Sequence, residues 1–147
     1  MPIMGLTNNN SKTYARVTTI CIDNDFDDDL HTFTGTNTSA CGIVGGELHI
    51  TASSSNGYGS RSFITHPGTK YNYSIDFVSP SFASVIKIGT SAGDGTHVSR
   101  AVNNSDPGYG TITGSFTATT KATYISLSVN ASTRTGRWDN LIISENN

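Results

Sequence analysis

Five aspartates, Asp23, Asp25, Asp27, Asp28 and Asp29, fall within seven positions of a 147-residue chain in which only 14% of residues are charged. Such a cluster can hold a hard cation, supply acid–base chemistry, or keep a strand end in water. An EF-hand loop starting at Asp23 would need glycine at its sixth position and glutamate at its twelfth, where Asp28 and Thr34 stand. Glycoside hydrolysis needs two carboxylates facing each other across a cleft. Glu47, Asp76, Asp94 and Asp106 are scattered, and nothing in the sequence pairs them. The plainer reading is a solvated turn whose like charges keep a sheet edge from pairing with another chain.

One further stretch has the letters of a catalytic motif. Gly89-Thr-Ser91-Ala-Gly93 matches the Gly-x-Ser-x-Gly nucleophile elbow, with Asp94 and His97 close by. That elbow requires a sharp turn from strand into helix. Here Ser91 is followed by AGDGTHVS, which holds two more glycines and no amphipathic helical pattern. The triad arms would also lie too close in sequence to fold back on the serine. The four histidines, His31, His49, His66 and His97, include no pair at zinc-ligand spacing. With no glycine-rich stretch leading into a helix, no helix N-terminus is offered to phosphate. These readings argue against an enzyme.

The elements that must position any site are strands. Thr, Ser, Gly and Asn fill 68 of the 147 positions, and 15 of these are glycine. Threonine suits pleated strands, while the other three suit tight turns. From about residue 13 the hydrophobic period is two, with no helical stripe. Nine strands are predicted: TYARVTTICI, GELHIT, SRSFITH, KYNYSIDFV, ASVIKIG, THVSRAV, TITGSFTA, ATYISLSV and RWDNLIIS. Tyr71, Tyr73, Ile75 and Phe77 share one face of their strand, as do Ile125, Leu127 and Val129 of another. Tyr124, Ser126 and Ser128 alternate with the latter and should face water. SSSNGYGS, HPGT, SAGDGT and NNSDPGYG supply the reversals. The expectation is one all-β domain over residues 13–147, a single antiparallel β-sandwich of eight or nine strands, preceded by a polar, extended arm over residues 1–12.

Bulk properties narrow the partners. A net charge of −2 offers no basic footprint for nucleic acid, and no apolar run reaches the roughly 18 residues of a membrane span. The start, MPIMGLTNNNSK, has no basic cluster followed by an apolar stretch, so synthesis and folding in a cytoplasm are expected. Cys21 and Cys41 are then read as free thiols, since two cysteines make no disulfide framework.

The ordered pieces resemble jelly-roll carbohydrate-binding modules and the related sandwich domains of phage structural proteins. Those pieces are Asn24-Asp-Phe26-Asp27, Gly46-Glu-Leu48, Pro67-Gly68-Thr-Lys-Tyr71-Asn-Tyr73, Gly114-Ser-Phe116-Thr-Ala118, Thr123-Tyr124-Ile125-Ser-Leu127 and Trp138-Asp139-Asn140-Leu141. The likeness spans residues 20 to 145 as a degenerate pattern. It implies a jelly roll with no reaction centre, and aromatic side chains on which sugar rings stack. Tyr58 and Tyr109, each between glycines, are the candidate platforms together with Trp138, the only tryptophan. A tyrosine between glycines reads more plainly as cover for the sandwich rim, and Trp138 beside its Asp-Asn pair as core. The resemblance also implies a structural calcium held by Asp25 or Asp27 from the first segment and by Asp139 from the last, where the first strand meets the last.

Two roles follow from the resemblance. The first is a non-enzymatic phage virion protein, a capsid decoration (cement) protein or tail component, assembled in the host cytoplasm. Its partners would be the major capsid protein or other virion proteins, and either a homotrimer or a lattice contact would suit such a role. An arm of about twelve residues can reach on the order of 40 Å, enough to cross a neighbouring subunit. Deleting residues 1–12 is expected to abolish incorporation into particles while leaving the sandwich folded, which sedimentation of particles would show. The second role is a carbohydrate-binding module or lectin-like domain that holds a polysaccharide or surface glycan.

Overall fold

The computed structural model describes residues 20–24, 26, 33–78, 84–102 and 110–146. Among them are eleven strands and no helix. The strands are β1 (Ile20–Asn24), β2 (Thr34–Thr36), β3 (Thr38–Val44), β4 (Glu47–Ala52), β5 (Gly57–Ile64), β6 (Lys70–Phe77), β7 (Ser84–Gly89), β8 (Val98–Val102), β9 (Gly110–Thr117), β10 (Ala122–Val129) and β11 (Thr135–Glu145). Every pairing is antiparallel. One sheet runs β3-β4-β11-β6-β9, with β1 also on β11; the other runs β2-β5-β10-β7-β8. The expected all-β sandwich is therefore present. It carries two strands more than predicted, β2 and β3, and the expected arm over residues 1–12 lies outside the described residues.

Alternation builds the core. On β6, Tyr71, Tyr73, Ile75 and Phe77 are buried, and on β10 so are Ile125, Leu127 and Val129, as the period of two requires. Leu48, Ile50 and Ala52 from β4 and Ile86 and Ile88 from β7 complete the two facing layers. Trp138 sits at the centre of the six-stranded sheet, paired with Leu48 on one side and Phe77 on the other. Its ring lies 4.8 Å from that of Phe77. On the solvent side, Arg137 donates from Nε and Nη2 to the two Glu47 oxygens at 2.7 and 2.9 Å, joining β11 to β4. The same pairing, led by the hydrogen bond from Arg137, holds the Glu47 carboxyl below the usual carboxylate range.

Two left-handed residues let strands change partners. At Asn37 (φ 54°) the chain leaves β2 in one sheet and enters β3 in the other, and the Asn37 carbonyl accepts from Ser53 N at 2.9 Å. At Asn140 (φ 48°) β11 bulges: Asp139 faces Asp76 and Ile142 faces Ser74, so Asn140 and Leu141 together oppose Ile75. The bulge returns Leu141 to the core. It also divides the other edge of β11 between β4, paired at Thr135–Trp138, and β1, paired at Leu141–Ser144. Asparagine is the non-glycine residue best suited to this backbone region.

Candidate functional site

The outer face of the five-stranded sheet follows directly from the register. Across the strands, Thr34, Ser60, Ser126, Lys87 and Ser99 form one row, and Ser62, Tyr124 and Gly89 form the next. Of these, only Tyr124 brings an aromatic ring. Beside it lies a cleft of about 350 Å³ whose lining includes Thr34, Thr36, Ser60, Ser62, Ala92 and Tyr124. That volume sits at the small end of known ligand sites. Arg61 also belongs to the lining; between Ser60 and Ser62 it has the opposite parity, so its side chain leaves toward the core side, where burial pulls its pKa down. The side chains that stand on the outer face of the cleft are hydroxyl groups that both donate and accept, beside one half-buried phenol ring.

A loop closes the other side. Residues Thr90 to Thr96 leave the end of β7 and fold back over the sheet, so that Gly93 N donates to Ser126 Oγ at 2.8 Å. Ser126 is 0% exposed and Ser128 is buried as well, although both point to the outer face. The expectation that these two serines face water is thus corrected: the loop covers Ser126, and Ser128 is buried between its cross-strand neighbours Tyr58 and Val85. Gly93 has φ +79°, and a Cβ there would stand 2.9 Å from the ring of Tyr58. Both the backbone geometry and the contact demand glycine. A Cβ on Gly89 would collide with the Asp94 carboxylate, which shows how closely the loop lies on β7.

Asp94 holds this loop together. Its carboxylate accepts from the Thr96 hydroxyl, from Thr90 N at 2.9 Å and from Thr96 N at 3.0 Å. These bonds, the Thr96 hydroxyl first, draw its pKa down from 3.8 to about 2. A folded-state pKa below the unfolded one contributes order that is complete above about pH 3.8 and is lost as the pH falls through about 2. Replacing Asp94 with alanine is accordingly expected to lower the protection of the Thr90 and Thr96 amides against hydrogen exchange at neutral pH, and to remove the further loss of protection that the parent shows as the pH falls through about 2. Unchanged exchange would mean that the carboxylate does not hold the loop.

The residues singled out in the sequence do not gather in one place. Trp138 is 0% exposed beneath Phe77, so it presents no face to a ligand, and a sugar-stacking role for it is withdrawn. Tyr58 is half-buried, with its ring against Gly93, and lies on the same outer face as Tyr124 but roughly 13 Å farther along the strands, four residues at ~3.3 Å each. Tyr109 lies outside the described residues. Gly89-Thr-Ser91-Ala-Gly93 ends one strand and leads through the loop to another strand, so it lacks the helix a nucleophile elbow needs. His97 stacks on Phe116 with ring centroids 5.9 Å apart, and the Asp94 carboxylate is taken up by Thr90 and Thr96. Cys41 is a free thiol, half-buried, with burial pushing its pKa up. The side chain of Cys21 is outside the described residues.

Of the calcium residues, Asp25 and Asp27 lie outside the described residues, while Asp139 faces Asp76 across the strands. Asp76 Oδ2 accepts from Asn140 Nδ2 at 2.8 Å, and Asp76 Oδ1 is buried with no hydrogen-bond partner among the described residues. Two apposed carboxylates, one with an orphaned oxygen, suit a hard cation, and Asp139, with Asp25 and Asp27, would be the residues to hold it. Among the described residues alone, no group of three His, Cys, Asp or Glu could hold a metal. Calcium is expected to raise the melting temperature of the protein and EDTA to reverse the rise, with the effect gone in Asp139→Asn. Overlapping melts would rule the ion out.

A second depression, of about 400 Å³, lies on the outer face of the six-stranded sheet among Asn72, Ser74, Thr113, Ser115, Ile142 and Ser144. It is larger than the first, and Tyr73 also belongs to its lining, but that residue is 4% exposed and its ring packs in the core, so it offers the depression little aromatic surface. The cleft beside Tyr124 is therefore the stronger candidate.

No protein family matches the chain, and no curated protein does. Solved structures do. A family 4 carbohydrate-binding module is similar over 88% of this chain and 86% of its own, with 15% identity and a TM-score of 0.57. A mutant of a family 29 carbohydrate-binding module, complexed with cellulohexaose, is similar over 86% of this chain and 91% of its own, with 14% identity and a TM-score of 0.54. A second family 29 mutant has a TM-score of 0.52 at 14% identity. At these identities the likeness establishes a shared sandwich fold.

Proposed function

We infer that the protein is a non-catalytic binding domain that takes a neutral saccharide into the cleft on the five-stranded sheet. The observation that carries this reading is the Tyr124 ring standing beside a floor and rim of hydroxyl side chains, Thr34, Thr36, Ser60 and Ser62. A sugar ring has an apolar C–H face and a polar edge, and so needs an aromatic surface and reversible donors and acceptors side by side. The fold supports the reading too, since its neighbours are carbohydrate-binding modules and one of them holds cellulohexaose.

Affinity electrophoresis tests it. In native gels containing soluble glucomannan, mixed-linkage β-glucan, xylan or laminarin, migration is expected to slow in at least one polysaccharide relative to a blank gel. Unaltered migration in all four would overturn the reading.

The virion role expected from the sequence depends on the arm at residues 1–12 and on capsid or tail partners, none of which the described residues include. No described feature favours it over the saccharide reading. Particle incorporation of the arm-deleted chain remains its test, and a glycan-gripping domain repeated on a particle would gain avidity from repetition.

A further inference from the structure

We propose that the cleft recognises the terminal sugar of a chain or branch and not the middle of a continuous polysaccharide; this rests on the saccharide reading above. A chain crossing the face of the sheet would run from β2 over β5 and β10 to β7 and β8, in the order in which those strands pair. Among the described residues the path is open at its start. β2 is an edge strand, and beyond the Thr34 and Thr36 side chains there is no further strand in that sheet among the described residues.

The path is blocked at β10. The Thr90–Thr96 loop is fastened to Ser126 by the Gly93 amide at 2.8 Å and rests on Gly89 of β7 through Asp94. Ala92 belongs to the lining of the cleft, so the loop forms its end wall. Ser126, held by Gly93, is 0% exposed, so no open surface remains under the loop at that point of β10. Tyr58, on the same face, stands against Gly93 and does not belong to the lining of the cleft. The two tyrosines therefore do not form one track for successive sugars. A cleft of about 350 Å³ with one aromatic ring and, among the described residues, one open end suits one or two residues at a chain terminus.

The wall is also built to stay. Four hydrogen-bond donors from Thr90 and Thr96 converge on the single Asp94 carboxylate. A track for an internal chain would require the whole loop to lift, breaking these bonds and the bond from Gly93 to Ser126.

The test uses the full chain and a competitor series. Each polysaccharide that retards the protein is partly hydrolysed, and the fragments compete for retention at equal mass. Terminal recognition predicts that cutting the mean chain length tenfold lowers the half-maximal competing mass about tenfold, since the number of ends sets the free ligand concentration. Equal or weaker competition by the fragments would overturn terminal recognition while leaving saccharide binding intact. Retention by none of the polysaccharides would overturn both. As a second arm, a variant whose Thr90–Thr96 loop is replaced by a two-residue turn, checked for folding by its melt, is expected to lose the preference for fragments. A folded variant that keeps the preference would contradict the assignment of the loop as the end wall.

Discussion

Trp138→Ala is expected to cost about 3–5 kcal/mol of stability, the loss typical of truncating a large aromatic residue in a packed core. Trp138 is fully buried at the centre of the six-stranded sheet, between its cross-strand partners Leu48 and Phe77. Its removal takes the Phe77 ring contact with it and leaves a cavity between sheets that cannot close without moving β4 or β6. For a domain of this size the corresponding drop in Tm is about 10 °C or more. Trp138→Phe retains an aromatic ring in the same place and is expected to lose less than half as much. Urea denaturation of the two variants beside the parent chain measures both losses. An alanine variant as stable as the parent, but unable to bind saccharide, would mean that the indole is an exposed platform after all.

Tyr124→Ala is expected to weaken saccharide binding about thirtyfold, close to 2 kcal/mol, as for a central aromatic contact in a small interface. The same change should cost the fold about 1 kcal/mol or less, because Tyr124 points to the outer face and its cross-strand neighbours there, Ser62 and Gly89, are small. Tyr124→Phe keeps the ring and gives up only the hydroxyl, so binding is expected to fall by about fivefold at most, the worth of one hydrogen bond. Titration calorimetry on the three proteins separates these outcomes. Equal affinity for the alanine variant and the parent would remove Tyr124 from the site.

The strands with strong alternation are legible in the sequence. Tyr71, Tyr73, Ile75 and Phe77 face the core as their spacing requires, because a period of two in large apolar residues has one solution in a two-layer fold. β2 and β3 are not legible. Their stretch, TGTNTSACGIV, consists mostly of small or polar residues, because β2 is short and β3 is an edge strand that buries little beyond parts of Cys41 and Ile43. The change of sheet between them rests on one asparagine at positive φ, which leaves no periodic trace.

The site is legible only in part. Period alone places Tyr124 on a water-facing side, but which side chains stand next to it depends on strand order, and strand order is set by contacts distant in sequence. The same holds for Ser126: alternation puts it outside, and a loop more than thirty positions earlier covers it. The glycines of GTSAGDG suggest a turn or a nucleophile elbow. Their actual use is to let a loop lie flat on a neighbouring strand and on Tyr58. A single tryptophan near an Asp-Asn pair could be core or platform, and only its position between Leu48 and Phe77 decides the matter.

The saccharide reading depends on the outer face of the five-stranded sheet, beside Tyr124, being where the protein meets its ligand. Isotopically labelled protein, titrated with the saccharide that retards it most and followed through its amide resonances, puts that to the test. Shifts are expected to concentrate at Thr34, Thr36, Ser60, Ser62, Ala92 and Tyr124. Shifts concentrated instead at Asn72, Ser74, Thr113 and Ser115, on the opposite side of the sandwich, would place the ligand on the wrong sheet and refute the assignment.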